Sequence, residues 1–140
     1  MGEPTSAQYL VVRLAGREFA IHATRVHGMM QVRGLDLRPC PTRGNHAWSA
    51  RVQGRELPVL APHGLLRLRR RPVSARSALV LIGADGLGPD YAILADSISR
   101  MERIPAHLIR LDAPNEFATA QIRIGDKWRD VLDLDKLAAA

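Results

Sequence analysis

Apolar and polar residues alternate along most of the chain, in short runs that glycines interrupt. One local order occurs three times: an apolar strand end, a glycine, charged residues and a large apolar residue, at Leu14–Phe19, Val52–Leu57 and Ile124–Trp128. Glycine supplies the positive φ that a tight hairpin turn requires, and alternation is typical of half-buried strands. The pattern predicts short β-hairpins. Because these must hide their edges and bury their apolar faces, we expect one or two small barrels.

The predicted elements follow from these runs. The first hairpin joins Tyr9–Leu14 to Glu18–His22, and a further strand is expected at Val26–Val32. The remaining strands are predicted at Ala50–Val52, Leu57–Leu60, Ala78–Ile82, Tyr91–Ala95 and between Ala118 and Leu134, and a terminal helix is predicted at Asp135–Ala140, with Asp135 as its cap. Phe19 and Trp128 each follow a hairpin glycine by three residues, so we expect both inside the barrels.

One stretch does not follow either period. Between Asp96 and Pro105 the apolar residues recur at every third position. This spacing fits neither a flat strand nor a helical stripe, and it leaves a bulged strand and a short helix equally open.

Charge is distributed unevenly over the 140 residues, whose net charge is +6. Up to Ala75 the chain has twelve arginines and four acidic residues, whereas from Arg76 onward it has eight basic and ten acidic residues. A basic half favours an acidic partner or nucleic acid. The densest run, Arg67–Arg71, ends at Pro72 and indicates a solvated connector. No aromatic residue is interleaved with it, which makes nucleic acid the weaker interpretation.

The sequence offers little for catalysis, so we predict no enzyme, no metal site and no cofactor. The lone Cys40 excludes an internal disulfide, and the five histidines (His22, His27, His46, His63 and His107) lack the spacing of a zinc site. A hydrolase that uses Ser97 or Ser99 has no supporting base. No apolar run approaches the roughly 20 residues of a membrane span, so we expect a cytoplasmic protein without membrane insertion.

Three segments resemble one family of bacterial proteins. Tyr91–Pro105 resembles the stretch of the CheW family of chemotaxis coupling proteins in which a Val-Asp pair precedes apolar residues at every third position and then Ile-Pro. Val131–Leu137 is similar to the family's closing strand and helix. Gln8–Ile21, followed by Arg25 and Val26, is similar to its opening hairpin.

The resemblance implies an all-β fold of two five-stranded SH3-like barrels around a pseudo-two-fold axis, with a short C-terminal helix. The whole chain would be one CheW-like domain, with a first sub-barrel mainly from residues 8–66, an Arg-rich connector at 67–75 and a second sub-barrel mainly from 76–137. It also implies a non-enzymatic adaptor that joins the cytoplasmic domain of chemoreceptors to a CheA-like histidine kinase.

The departures from the family pattern bear on the partner. Family members carry Asn-x-Arg-Gly in the second hairpin and Asp after its outgoing strand, where this chain has Arg51–Gly54 and Ala61; Val-x-Glu-Ile is replaced by Val26–Met29. These positions imply a partner-binding surface of Val26, Gly28, Met29, Arg51, Gln53, Gly54 and Arg55 with altered specificity. The alternative is a nucleic-acid-binding small barrel that uses the basic first half, which a steep salt dependence would reveal.

Overall fold

The computed structural model describes residues 6–32, 37–39, 48–84 and 86–140. Within them the chain forms strands and one short helix, and 3₁₀ turns lie at Ala23–Arg25 and Ala106–Leu108. The elements are β1 (Ser6–Leu14), β2 (Arg17–His22), β3 (Val26–Gln31), β4 (Leu37–Pro39), β5 (Trp48–Val52), β6 (Arg55–Leu60), β7 (Ala78–Gly83), β8 (Pro89–Ala95), β9 (Ser97–Pro105), β10 (Ile109–Arg110), β11 (Ala118–Ile124), β12 (Lys127–Leu132) and α1 (Leu134–Ala139).

The strands form two six-stranded sheets with the same plan. Sheet A has the order β10-β11-β12-β2-β1-β9, and sheet B has the order β3-β7-β8-β6-β5-β4. Each is made of antiparallel hairpins that meet at one parallel pair, β12 with β2 and β6 with β8. This shared plan agrees with the two-fold relation that the resemblance implies. The predicted all-β class is confirmed, and each sheet has six strands instead of five because the short β10 and β4 extend the edges.

The two sheets exchange strands across the connector. Sheet A takes β1 and β2 from the first half of the chain, and sheet B takes β7 and β8 from the second. The division into a first sub-barrel mainly from residues 8–66 and a second mainly from 76–137 stays a prediction.

Three apolar clusters explain the sequence pattern. A central core joins both sheets and α1, whereas core A lies within sheet A and core B within sheet B. Along β7, Val80 and Ile82 face the central core while Leu79 and Leu81 face core B. Since side chains of a strand alternate between its two faces, a strand buried on both faces is apolar throughout. This accounts for the continuous apolar run at Ala78–Ile82.

The stretch after Asp96 forms a bulged strand, which is one of the two structures that its spacing allows. β9 pairs with β1, and its register shifts opposite Val11 and Val12. A bulge changes the residue count on one strand, which removes the simple two-residue period.

The terminal helix starts earlier than predicted. The Asp133 side chain accepts a hydrogen bond from the Lys136 amide at 3.1 Å, so Asp133 is the cap and the prediction of Asp135 is wrong. Asp135 instead forms an ion pair with Arg25 at 3.0 Å. The helix is held against the sheets by buried Leu134 and by Tyr91, whose hydroxyl donates to the Leu134 carbonyl at 2.8 Å. Burial raises the pKa of Tyr91 well above its ordinary range.

The two aromatic residues that follow hairpin glycines have different environments. Phe19 is 3% exposed in the central core, as predicted. Trp128 is only partly buried and lies under the Arg110 guanidinium, 3.7 Å from the ring centroid, so the prediction that it lies inside a barrel is wrong. The Val131–Ala20 pairing of the parallel strands places Trp128 level with exposed Arg17, at the end of sheet A.

The connector packs through Leu68 and exposes its arginines. Leu68 contacts the central core, as do Leu65 and Leu66 just before the connector, whereas the side chains of Arg67, Arg69, Arg70 and Arg71 are exposed. The expectation of a solvated connector therefore holds for the arginines and is wrong for Leu68.

Candidate partner-binding surface

The first predicted segment of the surface lies on β3, at an edge of sheet B. The register of β3 against β7 shifts between Val26 and Gly28, which marks a bulge. Gly28 has φ of +144°, and a Cβ built there would lie 3.3 Å from Leu81 Cδ1. Met29 is 47% exposed, whereas Val26 packs partly against the central core. The edge therefore presents one large apolar side chain beside a glycine-dependent bend.

The second predicted segment is the β5–β6 hairpin. Gln53 and Gly54 form its turn, with φ of +51° and +78°. A positive φ at both central residues is what a type I′ turn requires. Arg51, Gln53, Gly54 and Arg55 are all exposed. Glu56 is paired in register with Arg51, but its carboxylate accepts a hydrogen bond from the Ser49 hydroxyl at 3.0 Å. Among the described residues neither Arg51 nor Arg55 has an ion-pair partner.

The connection between β7 and β8 lies between these two segments. On the β3 side, Arg25 Nε donates to the Gly83 carbonyl at 2.7 Å, and His27 Nε2 lies 2.9 Å from the Ala84 carbonyl. On the other side, a Cβ built on Gly88 would lie 3.5 Å from Arg55 Nη1. The structure therefore brings both predicted segments to the same end of sheet B.

Sequence reasoning missed the residues that join the two segments. Arg25 and His27 hold the start of β3 to the β7–β8 connection, and a Cβ on Gly83 would lie 2.5 Å from the Gly88 carbonyl. The three closely spaced glycines at 83, 86 and 88 are the signal that could have indicated a tight backbone approach.

The described ion pairs lie mainly on sheet A. Glu18 accepts hydrogen bonds from Ser99 at 3.0 Å and from Arg100 at 3.1 Å, and Arg13 and Arg129 lie at 3.5 and 3.6 Å. Burial alone would raise the pKa of Glu18, but these hydrogen bonds and positive charges outweigh it and the pKa lies below its ordinary value. The candidate surface on sheet B differs because its arginines are not neutralised by described neighbours.

Two of the residues considered for other chemistry are engaged elsewhere, and two lie outside the described residues. His63 is buried, with Nε2 3.1 Å from Asp96 Oδ1, and the Ser99 hydroxyl is bonded to Glu18. Cys40 and His46 lie outside the described ranges. Over those ranges no group of three or more His, Cys, Asp or Glu side chains could hold a metal ion. None of the described helices is long and apolar enough to cross a membrane.

Two sheets of SH3-like plan, with an exposed strand edge and hairpin turn at one end, define a small double-barrel binding protein. A family model described as the CheW-like domain matches residues 8–140, and the chain therefore belongs to the CheW-like domain family. The members of this family are non-enzymatic scaffolds and adaptors of chemotaxis, and this chain is one of them.

A solved structure supports the same fold. The crystal structure of the scaffolding protein TtCheW from Thermoanaerobacter tengcongensis is similar with a TM-score of 0.81 and 18% sequence identity, and the match covers 96% of this chain and 89% of that one. A search of curated protein sequences finds no significant match. The resemblance found in the sequence is confirmed at the level of family and fold.

Proposed function

We propose that this protein is a bacterial cytoplasmic adaptor that couples the cytoplasmic domain of chemoreceptors to a CheA-like histidine kinase, with altered receptor specificity. The observation that carries the proposal is the grouping of Val26, Gly28 and Met29 with the hairpin residues Arg51, Gln53, Gly54 and Arg55 at one end of sheet B. We call this group the sheet B surface. Its side chains are largely exposed and combine an apolar residue with guanidinium groups that form no ion pair with a described residue, which suits a protein contact.

The charge of this surface supports a changed partner. In the family pattern an Arg stands at the position of Gln53, and acids stand at the positions of Gly28 and Ala61. Here the acids are gone, while Arg51 and Arg55 flank the turn. Charge complementarity decides which partners approach and in which register. The sheet B surface therefore favours a partner with more acidic residues. A conventional partner needs carboxylates only for the single Arg of the family pattern.

The backbone at Gly28 makes this change more than a side-chain substitution. A φ of +144° is rarely adopted by residues with a side chain, and the Cβ position already lies 3.3 Å from Leu81 Cδ1. Gly28→Glu would therefore strain β3 and would not restore the family's acid in its usual place. The altered specificity is coupled to the course of the edge strand.

The proposal is tested by titrating the wild type and Gln53→Arg against a receptor cytoplasmic fragment and, separately, against the regulatory domain of a CheA-like kinase. We expect the wild type to bind the kinase domain and to bind a conventional receptor fragment poorly. Since a charged hydrogen bond is worth about 1.5–3 kcal/mol, Gln53→Arg should improve receptor affinity by roughly tenfold to a hundredfold at most.

The matched control is Gln8→Arg, which adds the same charge at an exposed position on β1. Equal improvement by both variants would show that net charge, and not the hairpin, governs receptor binding. Tight binding of the wild type to the conventional fragment would refute altered specificity. Failure to bind any kinase domain, together with salt-sensitive binding to nucleic acid, would favour the alternative function.

A further inference from the structure

The connector forms one wall of a second charged surface, away from the sheet B surface. The connector residues Arg71–Ser74, together with Arg76 just after the connector, line a hollow of about 470 Å³ with Arg13, Gly16, Asp96 and Ser97. We call this hollow the connector cleft. It lies between the connector and the β1–β2 hairpin, and three of its lining residues are arginines.

The connector is held in place without help from these arginines. Leu68 packs against the central core, and its amide donates to the His63 carbonyl at 2.8 Å. The other end is fixed by a serine turn, in which the Ser74 amide donates to the Ser77 hydroxyl at 2.9 Å and the Arg76 amide donates to the Ser74 hydroxyl at 3.1 Å. Ser77 itself is 3% exposed. The backbone that carries Arg71 and Arg76 is therefore ordered by other groups.

Arg71 lies against the turn of the β1–β2 hairpin. Its Nη2 is 3.2 Å from the position that a Cβ on Gly16 would occupy. The absence of a side chain at Gly16 is therefore what lets the guanidinium approach the hairpin. This contact directs the charge of Arg71 to the mouth of the cleft.

The charges of the cleft are not balanced from within. Neither Arg71 nor Arg76 forms an ion pair with any described residue, and Arg13 reaches Glu18 only at 3.5 Å while its side chain stays 48% exposed. The one carboxylate in the lining belongs to Asp96. Its two oxygens are already used, one by His63 at 3.1 Å and the other by the Ala15 amide at 2.6 Å.

We propose that the connector cleft binds an acidic segment of a protein partner. Exposed guanidinium groups bind carboxylates through paired, charge-assisted hydrogen bonds. Val73 is 48% exposed beside them and offers apolar contact to a peptide side chain. None of the residues that line the cleft is aromatic, so stacking of nucleic-acid bases has no platform there.

This surface goes beyond the proposed coupling role because it is spatially separate. The connector enters β7 at Ala78, whereas the sheet B surface surrounds the other end of β7 at Gly83. At about 3.3 Å per residue the far end of β7 lies about 17 Å from Ala78, whereas Val80, which pairs with Met29, lies about 7 Å from it. The hairpin end of the sheet B surface is therefore remote from the cleft, and one adaptor can hold two partners at these two places.

The test is an NMR titration of the ¹⁵N-labelled full chain with the peptide Asp-Glu-Asp-Leu-Glu-Asp at 0.15 M salt, with Asn-Gln-Asn-Leu-Gln-Asn as the uncharged peptide. Shifts are expected to concentrate on the amides of Arg13, Arg71, Ser74, Arg76 and Ser97. Arg71→Ser/Arg76→Ser should weaken binding at least tenfold with an unchanged melting temperature. The matched control Arg69→Ser/Arg103→Ser removes two exposed charges that do not line the cleft and should change affinity less than twofold.

Equal weakening by the two double variants would overturn the proposal, because it would show attraction to net charge alone. So would shifts confined to the sheet B surface, or tighter binding of a single-stranded DNA oligonucleotide in the same cleft. Neither Arg71 nor Arg76 belongs to the sheet B surface. Retention of kinase binding by the Arg71→Ser/Arg76→Ser variant would therefore leave the coupling role intact whatever the peptide does.

Discussion

The β1–β2 and β11–β12 hairpins share a sequence pattern and differ in what covers them. Each has a turn glycine with positive φ, +81° at Gly16 and +63° at Gly125, and each has an aromatic residue three positions later. Phe19 is buried in the central core, whereas Trp128 is partly exposed under Arg110. The two hairpins are therefore alike in sequence pattern and unlike in how far their aromatic residues are buried.

The difference begins in the turn. Gly16 is the second central residue of its turn, after Ala15 with φ of +53°, whereas Gly125 is the first central residue of its turn. The same offset from glycine therefore makes Phe19 the third residue of its outgoing strand and Trp128 the second. Trp128 therefore lies closer to the end of sheet A, level with exposed Arg17.

Truncation of the two aromatic side chains should have very different effects on stability. Phe19→Ala should lower the free energy of unfolding by about 3–5 kcal/mol because it opens a cavity in the central core. Trp128→Ala should cost at most about 1 kcal/mol, mainly the exposed contact with Arg110. Urea denaturation of both variants measures the difference, with Phe19→Leu as the control for cavity size. Equal losses would mean that Trp128 is also a core residue.

A second test concerns the carboxylates that tie each hairpin to its surroundings. Asp96 accepts from the Ala15 amide and contacts buried His63, so Asp96→Ala should cost about 2–3 kcal/mol by leaving both without a partner. Asp130 accepts from Asn115 and Gln121 nearer the surface, where water can replace it, and Asp130→Ala should cost under about 1 kcal/mol. Thermal unfolding of the two variants measures which substitution costs more stability. A larger loss of stability for Asp130→Ala would show that Asp130, and not Asp96, contributes more to the fold.

The third test measures how stability changes with pH, which reports on the ion pairs of the β1–β2 hairpin. The pKa of Glu18 is lowered in the folded protein, so its stabilisation is complete above the ordinary value of 4.5 and is lost as pH falls through the folded value. At pH 7, Glu18→Gln should cost about 1–2 kcal/mol, and the difference from the wild type should shrink below pH 4.5. Glu116→Gln, at an exposed position, should show no such trend. A difference that stays constant down to pH 3 would contradict the lowered pKa.

The turn residues of the two hairpins should differ in their response to asparagine, with a small effect on stability. Ala15 has φ of +53°, and Asn adopts this region more readily than Ala, so Ala15→Asn should stabilise the fold by up to about 1 kcal/mol. Asp126 in the other turn has no positive φ, and Asp126→Asn should give no gain. Calorimetry of the two variants would contradict the turn assignment if both, or neither, raised the melting temperature.

The strands and turns could be predicted from the sequence because they depend on local interactions. The positive φ at Gly16, Gly54 and Gly125, the alternation of the hairpin strands and the apolar run of β7 all follow from the needs of single turns and strands. The resemblance then supplied the arrangement of barrels, which the shared plan of the two sheets bears out. It also supplied the candidate residues of the sheet B surface, and their partner stays a prediction.

Other features depend on contacts between segments that are far apart in the chain. The sequence predicts Asp135 as the helix cap, whereas in the structure Asp133 is the cap and Asp135 pairs with Arg25, 110 positions away. His63 and Asp96 are 33 positions apart and meet only in the folded protein, where Asp96 also accepts a hydrogen bond from the Ala15 amide. The environment of Trp128 depends on the register between the parallel strands β12 and β2, which decides where Trp128 lies along sheet A. A local pattern fixes which way a side chain points, and only the tertiary structure decides what lies in front of it.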